Sequence, residues 1–220
     1  MRISKSSPSP LQWWRLVQTK QQCGKFLSMG NPLLVVLALL LLVGCSDQRW
    51  RTTDISEMMP ALDFDLVNED GVEVDETLYE GKATLLYFGY THCPDVCPIT
   101  LAKMATALRR LDADVRDQIQ VLFISVDPSR DTPEVLQQYT EAFGPEFIGL
   151  TGERADIDAV ANRYRVTYDY DEPDAHGNYT VTHTSAVFAF DPQGDAHFMI
   201  RDSDTLESIV ADLKQLVSNG

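Results

Sequence analysis

Thr84-Leu-Leu-Tyr-Phe-Gly-Tyr-Thr-His-Cys-Pro-Asp-Val-Cys-Pro98 decides the fold of this chain. Its first six residues are apolar or aromatic apart from Thr84 and Gly89, and Gly81-Lys82 bounds them upstream. That is the profile of a strand buried on both faces, not one alternating between core and solvent. After Pro98, residues Ile99, Leu101, Ala102, Met104, Ala105, Leu108 and Leu111 recur at helical spacing, which predicts a helix from Ile99 to about Ala113. Cys93 and Cys97 therefore fall on a strand-to-helix turn. A helix N-terminus lowers thiol pKa through its partial positive charge, so at least one sulfur is expected to ionise readily near neutral pH. If the loop winds like a helical turn, the two Cα atoms lie about 6 Å apart, within reach of a disulfide. Thiolate is both the nucleophile of exchange and the metal-binding form, so the spacing leaves redox exchange and metal capture open.

Outward from this unit the pattern alternates. Phe64–Val67 and Val72–Val74 read as a short hairpin turning on Asp70-Gly71, and Gln120–Val126 as a second interior strand. Asp127-Pro-Ser-Arg-Asp-Thr-Pro133 leads into a helix with Thr132 as N-cap and Pro133 in its first turn. A short strand over Phe147–Leu150 and a helix over Ala155–Tyr164 follow, then an irregular or hairpin excursion to His176. Strands over Tyr179–His183, Ser185–Phe190 and Ala196–Ile200 precede a last helix over Thr205–Val217, opened by Asp204. Strand, helix, strand, helix, then hairpin and helix is an α/β order. With the cysteine loop between the first central strand and its helix, it predicts a thioredoxin-like fold, a mixed sheet flanked by helices, with a hairpin insertion before the last strands.

The N-terminal region is of another kind. Residues 1–44 hold no acidic residue, carry Arg2, Lys5, Arg15, Lys20 and Lys25, and end in the apolar run Leu33–Val43. Eleven apolar residues are too few for a spanning helix, which needs about 20, but suit a signal-peptide core. Leu42-Val-Gly-Cys45 resembles a lipoprotein processing site at which Cys45 is lipidated; the alternative is an uncleaved N-terminal anchor. Residues 1–44 are thus expected as a signal peptide, 45–60 as a lipidated N-terminus and polar linker, and 61–220 as one domain. Beyond residue 44 the chain keeps 13 of its 18 basic residues against 33 acidic ones, a net charge of −20. Nucleic acid is excluded as a partner on that balance, since phosphate binding needs clustered Lys and Arg.

Cys23 falls in the expected signal peptide and Cys45 at the lipid site, so Cys93 and Cys97 are the cysteines of the domain. In an exported protein an isolated close pair is a disulfide, a redox couple or a soft-metal site. His183, at the start of a strand expected beside the cysteine loop, supplies a third donor where thioredoxins place a proline. Two thiolates and an imidazole suit Cu(I) and can hold Cu(II), whereas zinc takes a fourth protein ligand. Asp127 follows the second interior strand at the same end. It is either a loop opener or a neighbour that tunes the cysteines.

Tyr87-Phe-Gly-Tyr-Thr-His-Cys-Pro-Asp-Val-Cys-Pro98, Ile124-Ser-Val-Asp-Pro-Ser-Arg-Asp-Thr-Pro133, Tyr164-Arg-Val166, Val181-Thr-His-Thr184 and the turn Pro192-Gln-Gly194 together resemble the Sco/SenC family of copper-binding, thioredoxin-fold proteins. The resemblance runs in order through residues 62–217. It implies a membrane-tethered protein that assists assembly of the dinuclear CuA centre of cytochrome c oxidase, with one copper ion held by Cys93, Cys97 and His183. Implied partners are oxidase subunit II or a similar copper-site client, other periplasmic copper carriers or thiol reductants, and the membrane through the N-terminal lipid. The implied location is the periplasmic face of the inner membrane. A thiol-disulfide oxidoreductase acting through Cys93 and Cys97 is the alternative, since reducing a client's cysteines uses the same sulfurs. A peroxiredoxin-type peroxidase is set aside: it needs Thr or Ser three residues before the reactive cysteine, and Tyr90 stands there.

Overall fold

The computed structural model describes residues 49–219, and the expected signal peptide, Cys23 and the lipid site Cys45 lie outside them. At its centre β4 (Ala83–Gly89) and β5 (Ile119–Ser125) run parallel, Leu86 facing Leu122 and Gly89 facing Ser125, with all seven residues of each strand buried. This is what an uninterrupted apolar run dictates: with no polar face to turn to water, the strand needs cover on both sides. β6 (Phe147–Thr151) extends the parallel ladder beyond β5. β2 (Asp65–Asn68) pairs antiparallel with β6, and β3 (Glu73–Asp75) with β2. On the other side β9 (Val187–Phe190) runs antiparallel to β4 and β10 (Ala196–Ile200) to β9. β1 (Thr53–Asp54) closes the edge, giving the order β1-β10-β9-β4-β5-β6-β2-β3.

Among the described residues five α-helices accompany the sheet. α1 (Val96–Arg109) packs Cys97, Thr100, Leu101, Met104, Ala105 and Leu108 inward at three- and four-residue spacing and lies against α5 (Leu206–Asn219). α2 (Ala113–Arg116) is a single turn before β5. α3 (Pro133–Glu141) lies on β6, and its N-cap Thr132 accepts a hydrogen bond from Val135 N. α4 (Arg154–Arg163) leads to a separate ribbon of β7 (Tyr168–Tyr170) and β8 (Val181–His183), the hairpin insertion expected before the last strands. No helix among the described residues is long and apolar enough to cross a membrane.

Three expectations need correcting. The stretch expected as a linker up to residue 60 folds from Trp50 onward. Trp50 and Ile55 are buried, and Thr53 pairs with Met199. The buried Asp212 of α5 accepts from Arg51 N at 3.0 Å and Thr52 N at 2.8 Å. The segment lacks periodicity because two isolated apolar residues and a remote carboxylate hold it, not a repeating apolar face. The first helix begins at Val96, three residues before Ile99, and stops at Arg109, so Cys97 lies within its first turn. The last helix is capped by Thr205, whose hydroxyl accepts from Ser208 N, while Asp204 accepts from Arg201 N.

Candidate metal centre

β4 delivers the chain at Gly89, and the turn that follows is fixed from below by a carboxylate. Asp131, fully buried, accepts from Thr91 N at 2.9 Å, Thr91 Oγ1 at 2.6 Å and Ser125 Oγ at 2.6 Å. Cys93 N then donates to Tyr90 O, and Cys97 N donates to Cys93 Sγ at 3.4 Å, so the two cysteines wind as one turn into α1. Both are free thiols; Cys93 is 8% exposed and Cys97 not at all.

Gly89 has to be glycine. A Cβ there would stand 2.8 Å from Cys97 Sγ and 2.7 Å from Phe123 Cε2, both far inside van der Waals contact.

His183 arrives from the ribbon. It ends β8, the strand expected over Tyr179–His183, but that strand pairs with β7 and not with the main sheet, so the histidine reaches the cysteines from outside it. Its Nε2 lies 3.1 Å from Cys97 Sγ and its Nδ1 3.1 Å from Thr184 O. A carbonyl only accepts, so the Nδ1 proton is assigned to that bond and Nε2 presents its lone pair to the sulfur. Tyr87 and Tyr90 flank the imidazole edge-on, each with ring centres 6.0 Å away. The ligand atoms of Cys93, Cys97 and His183 all lie within 4.8 Å of one another.

Of the two sulfurs, one of which was expected to ionise readily, Cys97 is not that one. Burial pushes the Cys97 thiol up to about 12, and the backbone hydrogen bond from Tyr90 offsets this only in part. Desolvation outweighs the helix N-terminus because the sulfur sits in the core and not at the helix mouth. Burial also lowers His183 from its ordinary value and so favours the neutral imidazole, against the opposing pull of the Thr184 carbonyl. Without metal, the consistent arrangement is Cys97 S–H donating to His183 Nε2. A soft cation that replaces this proton meets two sulfurs and one unprotonated nitrogen, the donor set that suits Cu(I).

Asp127 does not touch the sulfurs. Its buried carboxylate accepts from Ser129 Oγ and Tyr179 OH, each at 2.8 Å, and pairs with Arg130. Arg130 in turn stacks 3.6 Å over the Tyr179 ring, donates to Tyr179 O and stands 5.7 Å over Tyr90. Tyr90 OH accepts from Val181 N. Asp127 therefore bears on the centre by tying down the ribbon that carries His183. His92 points away from the sulfurs, with its ring 3.7 Å from Asp131, and is half exposed. Sequence reasoning passed over Asp131, Arg130, Tyr179 and Tyr87 as individuals. For Asp131 there was a signal, a carboxylate directly before a helix N-cap. A groove of about 750 Å³ lies elsewhere, between β2, β3 and the starts of α3 and α4, and neither cysteine lines it.

A thioredoxin-like sheet with two cysteines at its strand-to-helix turn and a histidine closing over them defines the class: a thiol-based domain with a Cys2His donor cluster. The chain belongs to the SCO1/SenC family, whose model matches residues 55–218. It is 34% identical over 191 residues to the human mitochondrial protein SCO1 homolog, covering 86% of this chain and 62% of the relative. To the Arabidopsis thaliana mitochondrial SCO1 homolog 1 it is 41% identical over 130 residues, covering 59% of this chain and 39% of the relative. The chain thus spans less than two thirds of either. Among solved structures, Bradyrhizobium japonicum ScoI with copper bound superposes with a TM-score of 0.65 at 38% identity, covering 71% of this chain and 99% of that one.

Proposed function

We propose that the protein is a copper metallochaperone that binds one copper ion through Cys93, Cys97 and His183 and hands it to the CuA site of cytochrome c oxidase subunit II. The observation that carries this is the convergence of two sulfurs and the His183 Nε2 lone pair within 4.8 Å. Family membership and a copper-bound relative support the choice of metal. The core supplies the cysteines from β4 and α1, and the ribbon supplies the imidazole. Release requires only that a client's thiolates exchange for these three ligands in turn. The test is Cu(I) binding by the reduced protein under anaerobic conditions, followed by absorption and EPR after oxidation. One copper per chain is expected, weakened by Cys93→Ser, Cys97→Ser and His183→Ala. Copper binding and oxidase assembly indifferent to His183→Ala would sink the assignment of that ligand.

A second reading, a thiol-disulfide oxidoreductase, is favoured by one observation: both thiols are free, with their sulfurs side by side on one helical turn. Cys93 would attack a client disulfide and Cys97 would resolve the mixed disulfide, releasing the client as a dithiol and leaving Cys93–Cys97 oxidised. Exchange uses no imidazole ligand, so His183→Ala separates the two. Residues 1–44 as a signal peptide and lipidated Cys45 as a tether on the periplasmic face of the inner membrane belong to the same proposal. Mass spectrometry of the membrane-extracted protein reads the lipid directly, and a mature N-terminus other than Cys45 would overturn it.

A further inference from the structure

At the centre just described, one buried polar atom has no use. Tyr87, fifth residue of β4, is wholly buried, and its hydroxyl has no hydrogen-bond partner. An unpartnered hydroxyl in a dry interior is destabilising relative to phenylalanine, which fills the same space without the polar atom. The surroundings show what it faces. The ring stands edge-on to His183 at 71°, and Cys97 and Thr100, one turn apart on α1, are the side chains that bear on its oxygen. Neither is in hydrogen-bonding geometry with it. A neutral thiol is a weak acceptor, and the Cys97 proton is already directed to His183 Nε2. A thiolate ligand accepts strongly.

We propose that Tyr87 is a positioning residue of the metal centre, its hydroxyl donating to the Cys97 sulfur once that sulfur has exchanged its proton for copper. The inference rests on the copper reading above and adds to it a group that touches no metal. A hydrogen bond to a ligating sulfur draws electron density from it, which weakens the sulfur as a donor to Cu(II) and favours the reduced ion. It also fixes the direction of a sulfur for which Gly89, having no side chain, leaves room.

Tyr87→Phe removes the hydroxyl and nothing else. Three quantities read its effect in the full-length protein: the apo melting temperature, retention of Cu(I) against a chelator, and the sulfur-to-copper charge-transfer band of the Cu(II) form. The apo melting temperature is expected at or above that of the wild type, since an orphaned polar atom is lost. Cu(I) retention should weaken by about tenfold, as for other groups that support metal ligands. The charge-transfer band should move to longer wavelength, because a sulfur relieved of a hydrogen bond gives up its electron more readily. A lower apo melting temperature with band and affinity unchanged would make the hydroxyl a structural group and overturn the proposal, as would an unmoved band on its own. Thr100→Val serves as a second variant and should leave the band in place. A shift there equal to that of Tyr87→Phe would assign the effect to Thr100 instead. If the wild type itself takes up no Cu(I), the chaperone reading fails and this inference with it, an outcome distinct from a wild type that binds and a variant that binds equally well.

Discussion

Gly89→Ala puts a single methyl group where the structure has least room for one. The added Cβ would meet Phe123 Cε2 at 2.7 Å, Cys97 Sγ at 2.8 Å and Phe123 Cζ at 3.3 Å. Carbon contacts settle at about 3.5–4.0 Å, so ring and sulfur must each retreat by close to an ångström. Neither is free to do so. Phe123 is the fifth of the seven residues of β5, wholly buried and packed against Tyr87 and Tyr139. The strand cannot slide either, since Gly89 O accepts from Val126 N at 2.8 Å and Gly89 faces Ser125 in register. Overpacking of this kind costs about 1–3 kcal/mol, which for a domain of this size lowers the melting temperature by about 2–12 °C. The sulfur's displacement adds a second effect, because metal ligands tolerate errors of only about 0.5 Å. Copper affinity should therefore fall by about tenfold or more, and the stabilisation that copper confers on the fold should shrink with it. Gly81→Ala is the control: Gly81 has a φ of +86° but open space around it, so alanine there strains the backbone without reaching the site. It should lower stability and leave copper affinity alone. A Gly89→Ala protein with wild-type melting and wild-type copper retention would refute the argument that the Cys97 sulfur is seated against this glycine.

Other consequences are open to direct measurement. Arg130→Met removes the cation stacked on Tyr179 and the partner of Asp127, so it should loosen the ribbon at His183. Copper retention is expected to fall while the rate of Cys93–Cys97 disulfide exchange stays at the wild-type value, as read by a chelator assay beside a thiol-exchange assay. Burial holds His183 below its usual pKa, so the unfolded chain takes up the proton first as pH falls. Stability of the apo protein should therefore decline below about pH 6.5, and a denaturation series in which His183→Asn shows the same decline would contradict this. Asp212→Ala takes away the acceptor of Arg51 N and Thr52 N. It should cost roughly 1–3 kcal/mol, and hydrogen exchange should quicken first at residues 51–54.

How much of this was legible follows from what each residue depends on. β4, β5 and the inward face of α1 were readable because burial on both faces, or on one helical face, writes itself as an apolar pattern over consecutive residues. β10 was placed over the residues it occupies, Ala196–Ile200, because the turn at Pro192–Gly194 marks where it begins. Trp50–Ile55 was not readable, because its anchors, Asp212 and Phe198, lie more than a hundred residues away and leave no local period. The same division runs through the metal centre. Cys93 and Cys97 declared themselves by spacing and by the strand before them. The ionisation of Cys97 did not, because it depends on how deeply the sulfur sinks, and that is set by the missing side chain at Gly89 and by the packing of β5.

His183 shows why the two chemistries open to this fold can be separated at all. The cysteine pair is fixed by elements that the core cannot do without: β4 in mid-sheet, Asp131 beneath the turn, and the first turn of α1. The histidine rides on a two-stranded ribbon that shares no sheet pairing with that core and is joined to it by side chains: Arg130 and Tyr179, the Tyr90 hydroxyl, Tyr170 on Val126 O, and Tyr168 with Asp158. Short isolated ribbons have little stability of their own, so the third ligand is held less firmly than the other two. A site that must give up its ion to a client needs one ligand that can leave without unfolding the rest, and a dithiol reductant has no use for such a ligand. The placement of His183 outside the main sheet therefore favours metal transfer over reduction, and it locates the ribbon, not the cysteine turn, as the part through which affinity and release are set.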